Sequence, residues 1–155
     1  MKLEIDLFAF KDDLEMVEVD NKTYFKDPVR KKNILLQPEE LVRQLWLRYL
    51  HLDYGIAFAS MAVEKSLKIG EQDRRYDLVI YDKADPKVLF EFKRFSLPLN
   101  QEVCQQIAQY NLALKIPYLV ISNGQETFAF EVNHRSGTVL PLTTLPFNMT
   151  GGINS

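Results

Sequence analysis

"VLFEFKRF", Val88 to Phe95, is an apolar, strand-like run with a glutamate and a lysine set inside it. Charged side chains are depleted from strands and costly in cores, so their placement needs a reason. Successive side chains of a strand point to opposite faces. Val88, Phe90 and Phe92 therefore share one face, and Leu89, Glu91, Lys93 and Phe95 the other. The alternation assigns the first set to packing and places Glu91 and Lys93 about 6 to 7 Å apart on the opposite side. Asp77 lies fourteen positions before Glu91, near the start of the short apolar run "YDLVIYD". The intervening "KADPK" has turn chemistry. Together the two runs predict an antiparallel hairpin that brings Asp77 beside Glu91.

Working outward, "QPEELVRQLWLRYLHLDYG" is the clearest helix. Pro38 suits a first turn, and Glu39 and Glu40 complement the positive end of the helix dipole. Leu41, Val42, Leu45, Trp46, Tyr49 and Leu50 recur at helical spacing, and Gly55 is a stop signal. "IAFASMAVEKSLKI" reads as a strand with a bulge, and "GEQDRR" as a polar turn. "LNQEVCQQIAQYNLALKI" is a second helix, with Val103, Ile107, Tyr110 and Leu114 on one face. "PYLVIS" is the continuous apolar run of a strand buried on both sides. "NG" turns it and "TFAFEV" returns. Before the first helix, "KLEIDLFAF", "EMVEVD" and "KTYFK" read as extended pieces, and "DPVRKKN" as a turn whose basic run is first a solvated loop, with DNA contact as the lesser reading. After residue 133 the Gly-, Pro- and Thr-rich end reads as a tail, mobile in its last few residues. The fold class predicted is α/β: a central mixed β-sheet flanked by helices, preceded by extra N-terminal strands.

Composition narrows the function. The chain has 155 residues, 46% hydrophobic and 26% charged, enough for one domain with a real core. A formal net charge of -2 argues against a domain that is basic overall, though not against a local basic patch. Cys104 is the one cysteine, so no internal disulfide forms and a reducing cytoplasm is the expected compartment. No segment reaches the roughly 18 apolar residues of a membrane span.

Two carboxylates converging on a sheet surface repel unless a cation sits between them. Mg²⁺ fits such a pair, because it takes one or two carboxylates and completes its shell with water and phosphate oxygens. Lys93 cannot bind the metal as an ammonium. It can stabilise charge on a phosphorane or orient the attacking water. Asp77, Glu91 and Lys93 thus make a chemically complete set for metal-assisted phosphodiester hydrolysis. The plainer alternative is a solvent-facing Glu–Lys pair, which is worth little.

The series "RRYDLVIYD", "LFEFKR", "QQIAQYN" resembles the PD-(D/E)xK nuclease superfamily. Within it the pattern is similar to the N-terminal nuclease domain of type I restriction enzyme R subunits and its stand-alone relatives. "PEELVRQ" and "QQIAQYNLALKIPYLVISNG" also match, and the resemblance covers roughly residues 25 to 135. It implies a restriction-endonuclease-like core, with Asp77 and Glu91 as metal ligands, the Phe92 carbonyl as a further ligand, and Lys93 as the catalytic lysine. It implies that Gln106 and Tyr110, the Gln-x-x-x-Tyr motif, position DNA or the catalytic groups. A glutamate of the first helix often completes such a site. Glu39 and Glu40 are the candidates, and Glu39 shares the face of Val42 and Trp46. Dipole complementation accounts for either one equally well. The usual proline before the aspartate is absent, with Tyr76 in its place.

The implied protein is a Mg²⁺-dependent DNA endonuclease, with Mn²⁺ as a substitute. Its partner is DNA, and the remaining associations are a homo-oligomer or restriction-system subunits, with no membrane. The expected layout is one nuclease-like domain over 1–155, with its core at about 37–133, a strand extension at 1–36 and the tail at 134–155. A catalytically silent nucleic-acid-binding or protein-interaction module on the same scaffold is the alternative. Arg74, Arg75, Lys93 and Arg94 put positive charge near the site, with Arg74 and Arg94 also readable as solvated loop charge. His51 reads as a helix-end residue, His134 as a loop residue and Cys104 as packing, since none has zinc-type partners at the right spacing. No phosphate-binding G-x-x-x-x-G-K-[ST] segment occurs, so the motor that accompanies this domain in R subunits is absent from this sequence.

Overall fold

The computed structural model describes residues 1–154, Ile69 by its backbone alone. A three-stranded antiparallel sheet comes first: β1 (Met16–Val19), β2 (Lys22–Asp27) and β3 (Lys32–Leu35). Asp20 and Asn21 make the β1–β2 turn with φ of 52° and 65°. That left-handed pair is the one a two-residue hairpin needs, and Asp and Asn tolerate it. Ahead of it, "KLEIDLFAF" departs from the extended reading. Leu3 makes an isolated bridge to Thr127, and Leu7–Asp13 is a 3-10 helix. Leu7 is buried against the first helix's cluster, so tertiary packing overrides the local alternation.

The helix α1 spans Pro38–Tyr54, with Pro38 in its first turn and Gly55 closing it at φ 72°. A left-handed residue is cheap only for glycine. A Cβ there would meet Gly151 N at 3.9 Å, an ordinary contact. Gly55→Ala should therefore cost only the conformational strain, about 1 kcal/mol, read as a small fall in the urea midpoint with an unchanged slope.

The main sheet has six strands in sequence order: β4 (Met61–Ile69), β5 (Gln72–Asp82), β6 (Asp85–Phe92), β7 (Tyr118–Ser122), β8 (Thr127–Asn133) and β9 (Thr138–Pro141). All pairs are antiparallel except β6–β7, which is parallel. A parallel neighbour demands a crossover, and α2 (Gln101–Tyr110) supplies it. The fold is thus mixed α/β, as the sequence predicted. β5 begins earlier than the "GEQDRR" turn suggests, because the two-residue turn is Gly70–Glu71 and Asp73, Arg74 and Arg75 are already in the strand. Phe58–Ser60 is a short 3-10 segment rather than strand.

The two sheet faces are covered by different helices. Leu78, Ile80, Val88, Phe90 and Phe92 pack with Trp46, Leu45 and Leu50 of α1. Val79, Leu89, Leu119 and Ile121 pack with Cys104 and Ala108 of α2. Trp46 is the hub of the first cluster, with its ring 5.2 Å from Phe90 and 6.3 Å from Phe92. β7 is buried at all five positions, as a strand covered on both sides must be. The buried stripe of α2 is Cys104 and Ala108. Val103 and Tyr110, expected on the packed face, are 42% and 77% exposed. The helix also ends at Tyr110, so Leu114 packs from beyond a 3-10 turn. Residues after 133 do more than trail. β9 extends the sheet, Leu145 and Phe147 enter the α1 cluster, and Phe147 bridges Ile153. Among the described residues no helix is long and apolar enough to cross a membrane.

Candidate active site

The β5–β6 ladder runs in register from Ile80↔Val88 to Leu78↔Phe90 and stops there. One step further would pair Asp77 with Glu91. Instead the Phe92 N–H donates to Asp77 Oδ2 at 2.6 Å. A carboxylate thus takes the place of a backbone acceptor where the strands part. Strict alternation also breaks at this point. Tyr76 and Val79 both belong to the α2-side cluster, whereas Leu78 and Ile80 belong to the α1 side. On the adjoining strand Glu64 has φ 55°, a left-handed conformation costly for a side-chain-bearing residue. The sheet is therefore distorted on both β4 and β5 at the level of Asp77.

Asp77 and Glu91 are both half-buried. Burial pushes the Asp77 carboxyl above its ordinary value, and the nearby Glu64 charge adds to the rise. The Phe92 N–H, Arg43 and Lys93 oppose it. Burial likewise raises Glu91, with Asp77 adding and Lys93 and Arg74 opposing. Glu39 is raised by burial and then by Asp77, against Arg43 and Lys93. Three carboxyls, on β5, β6 and α1, thus share the influence of one lysine. Lys93 lies one residue past the end of β6. Its backbone N–H donates to Ser122 O at 2.9 Å, which continues the β6–β7 ladder. The predicted strand is therefore trimmed to Phe92, while Lys93 keeps an extended anchorage. The Phe92 ring is buried against Trp46, and its N–H is the donor to Asp77.

From α1 through the end of the sheet, residues 38–146 match the family model described as type I restriction enzyme R protein N terminus. The chain belongs to this family. No curated protein matches it. The matched span begins at the first residue of α1 and leaves out the three-stranded sheet.

Within this R-protein N-terminal fold the two helix glutamates part company. Glu39 is exposed on the side that feels Asp77. Glu40 is buried in a polar network. Its carboxylate accepts from Arg30 Nη2 at 2.7 Å, Arg43 Nη1 at 2.6 Å and Gln44 Nε2 at 3.1 Å. Asp27 joins it, accepting from Arg30 Nε at 2.7 Å and Gln44 Nε2 at 2.8 Å. Arg43 carries the network to the site, with Nη2 3.5 Å from Asp77 Oδ1 and 3.8 Å from Glu64 Oε1. Sequence reasoning missed Arg43. The available signal was its spacing, three residues after Glu40 on a helix. Arg30, read as part of a solvated basic run, is instead tied to two buried carboxylates.

Gln106 and Tyr110 lie on the outer surface of α2, where with Gln109 they line a depression of about 510 Å³. Among the described residues neither makes a hydrogen bond or ion pair to Asp77, Glu91 or Lys93. Arg74 is a strand residue whose guanidinium sits over the Tyr76 ring at 6.0 Å, not loop charge. Arg75 is paired with Glu64 at 2.9 Å, and Arg94 is exposed. His51 caps the end of α1, with Nδ1 2.9 Å from Ile56 O and its ring stacked on Phe58. His134 is in an exposed turn. Burial pushes the Cys104 thiol up to about 12, which leaves it a packing residue. No three His, Cys, Asp or Glu side chains among the described residues gather closely enough to hold a metal by themselves.

Proposed function

We propose that this chain is a Mg²⁺-dependent DNA endonuclease, with Asp77 and Glu91 as metal ligands, the Phe92 carbonyl as a third and Lys93 as the catalytic lysine. The family supports a nuclease-related role. The observation that supports the reading is a pair of half-buried carboxyls on neighbouring strands where the β5–β6 ladder ends, both raised by burial and opposed by the Lys93 charge. Such carboxyls gain most from a cation. The donor set suits Mg²⁺, which needs few protein ligands because phosphate and water fill the rest of its shell. A three-carboxylate cage is therefore not required. Glu39, whose carboxyl feels the Asp77 charge, is the helix glutamate better placed to join, and Glu40 is committed to the arginines.

Bound Mg²⁺ would supply Lewis-acid polarisation of the phosphate and acidification of water. The protein groups orient what it acts on. The Phe92 N–H fixes the Asp77 carboxylate, and the Ser122 carbonyl fixes the backbone of Lys93. The Lys93 ammonium stabilises charge developing on the phosphoryl oxygens. Gln106 and Tyr110 then serve as DNA contacts at the rim, with restriction-system subunits as the wider partners.

The Arg43–Asp77 ion pair favours a second reading, a silent DNA-binding module in which a guanidinium takes the place of the metal. One experiment separates the two. The nuclease should nick supercoiled plasmid in Mg²⁺ and not in EDTA, and Glu91→Ala should abolish the nicking. Plasmid left intact in Mg²⁺ and Mn²⁺ alike would support the silent module.

A further inference from the structure

The basic run in "DPVRKKN" is not absorbed by the site at Asp77. Lys31 and Lys32 from it, with Lys26 of β2 and Arg48 of α1, line a surface pocket of about 380 Å³. Among the described residues none of these four cations has a carboxylate within ion-pair distance. Two acids also line the pocket. Glu15 is exposed and, among the described residues, makes no ion pair. Asp27 is 3% exposed and already accepts from Val29 N, Arg30 N, Arg30 Nε and Gln44 Nε2. Its charge is answered by Arg30, so the pocket is left with a clear positive excess.

The pocket is also pre-formed. Asp27 Oδ1 holds the Val29 and Arg30 N–H groups at 2.7 Å each, which locks the turn that presents Lys31 and Lys32. Arg30 fastens the same turn to α1 through Glu40. The Arg48 guanidinium lies over the Phe58 ring at 5.9 Å, and its Nε is enclosed without a hydrogen-bond acceptor. Cations already ordered by the fold lose little entropy on meeting an anion. Arg is suited to phosphate in particular.

We infer that this pocket binds phosphate groups and is a second anion site of the protein, built largely by the N-terminal sheet. A nucleic-acid backbone is the favoured source. The family's nuclease-related role favours it, and Arg48 lies nine residues beyond Glu39, roughly 13 Å along the helix axis and about half a turn around it, so the pocket is a contact separate from the site at Asp77. A small polyphosphate is the other source of the same chemistry. The inference does not depend on the metal reading of Asp77 and Glu91.

The test is duplex binding by fluorescence anisotropy in EDTA across a salt series, with a parallel pyrophosphate titration followed by amide NMR. The proteins are the wild type and the double variant Lys31→Gln/Lys32→Gln, whose exposed side chains can change without disturbing the fold. For a backbone contact, the variant should bind duplex roughly tenfold more weakly, with a log–log salt slope shallower by about 2. Pyrophosphate should then leave the turn unperturbed. For a small polyphosphate, pyrophosphate should shift the amides of Lys31, Lys32 and Asn33 in the wild type and not in the variant. Either pattern supports a phosphate site and names its source. Equal duplex affinity and slope in both proteins, with no pyrophosphate response, overturns it. Plasmid nicking by the wild type in Mg²⁺ reads the Asp77 site separately.

Discussion

Asp77→Asn should abolish Mg²⁺-dependent plasmid cleavage and, in EDTA, raise the melting temperature. The loss of activity follows from removing one of the two carboxylates proposed to hold the metal. Metal stabilisation of the transition state is worth several kcal/mol, or about a thousandfold in rate. The gain in stability follows from the direction of the Asp77 shift. Its carboxyl in the folded protein sits above the ordinary 3.8, chiefly through burial. The folded state therefore binds that proton more tightly than the unfolded chain does. The associated stability is full at low pH and is lost as pH rises through the folded value. At pH 7 the ionised carboxylate is a net cost, with the Arg43 and Phe92 contacts already counted. Asparagine removes the charge and keeps an oxygen for the Phe92 N–H. A rise of a few degrees is expected, typical of relieving strain at a functional site. Nicking that persists in the variant would remove Asp77 from the site. A lower melting temperature would mean that the Arg43 pair dominates instead.

Glu40→Ala should destabilise the protein by about 3–5 kcal/mol, the usual cost of leaving buried charge without its partner. Glu40 is 7% exposed and answers both Arg30 and Arg43. Its loss also removes the Arg30 link between the Asp27 turn and α1, leaving the Gln44 donation to Asp27 as the remaining one. For a domain of this size the melting temperature should drop by roughly 10 °C or more. Glu39→Ala, one residue away but exposed, should stay within about 0.5 kcal/mol. Urea unfolding of the two variants in EDTA makes the comparison. Equal, small effects would show that the arginine network contributes little.

The contrast between these neighbours shows what the sequence could carry. Alternation in "VLFEFKRF" was enough to assign Val88, Phe90 and Phe92 to the core and to set Glu91 apart, because strand period is a local property. The turn between β5 and β6 was local too, so the level of Asp77 could be read. Helix periodicity named the right face of α1 for Trp46 and Leu45. It could not say that Glu40 and Arg43 are buried, since that depends on Asp27 and Arg30 arriving from a separate sheet. The same limit explains Leu7–Asp13, where alternating residues form a 3-10 helix because Leu7 is claimed by the core under α1. It also explains α2, whose buried side is one position away from the stripe that spacing favoured. The distortion at Asp77 and Glu64 lies between two strands, and neither strand records it alone.

Binding of Mn²⁺, followed by electron paramagnetic resonance, tests the central claim most directly, because it reads the site without requiring turnover. The wild type should take up Mn²⁺ in competition with Mg²⁺, and Asp77→Asn and Glu91→Ala should each lose that uptake while remaining folded. Equal Mn²⁺ binding by all three proteins, or none by the wild type, would contradict a metal site at Asp77 and Glu91.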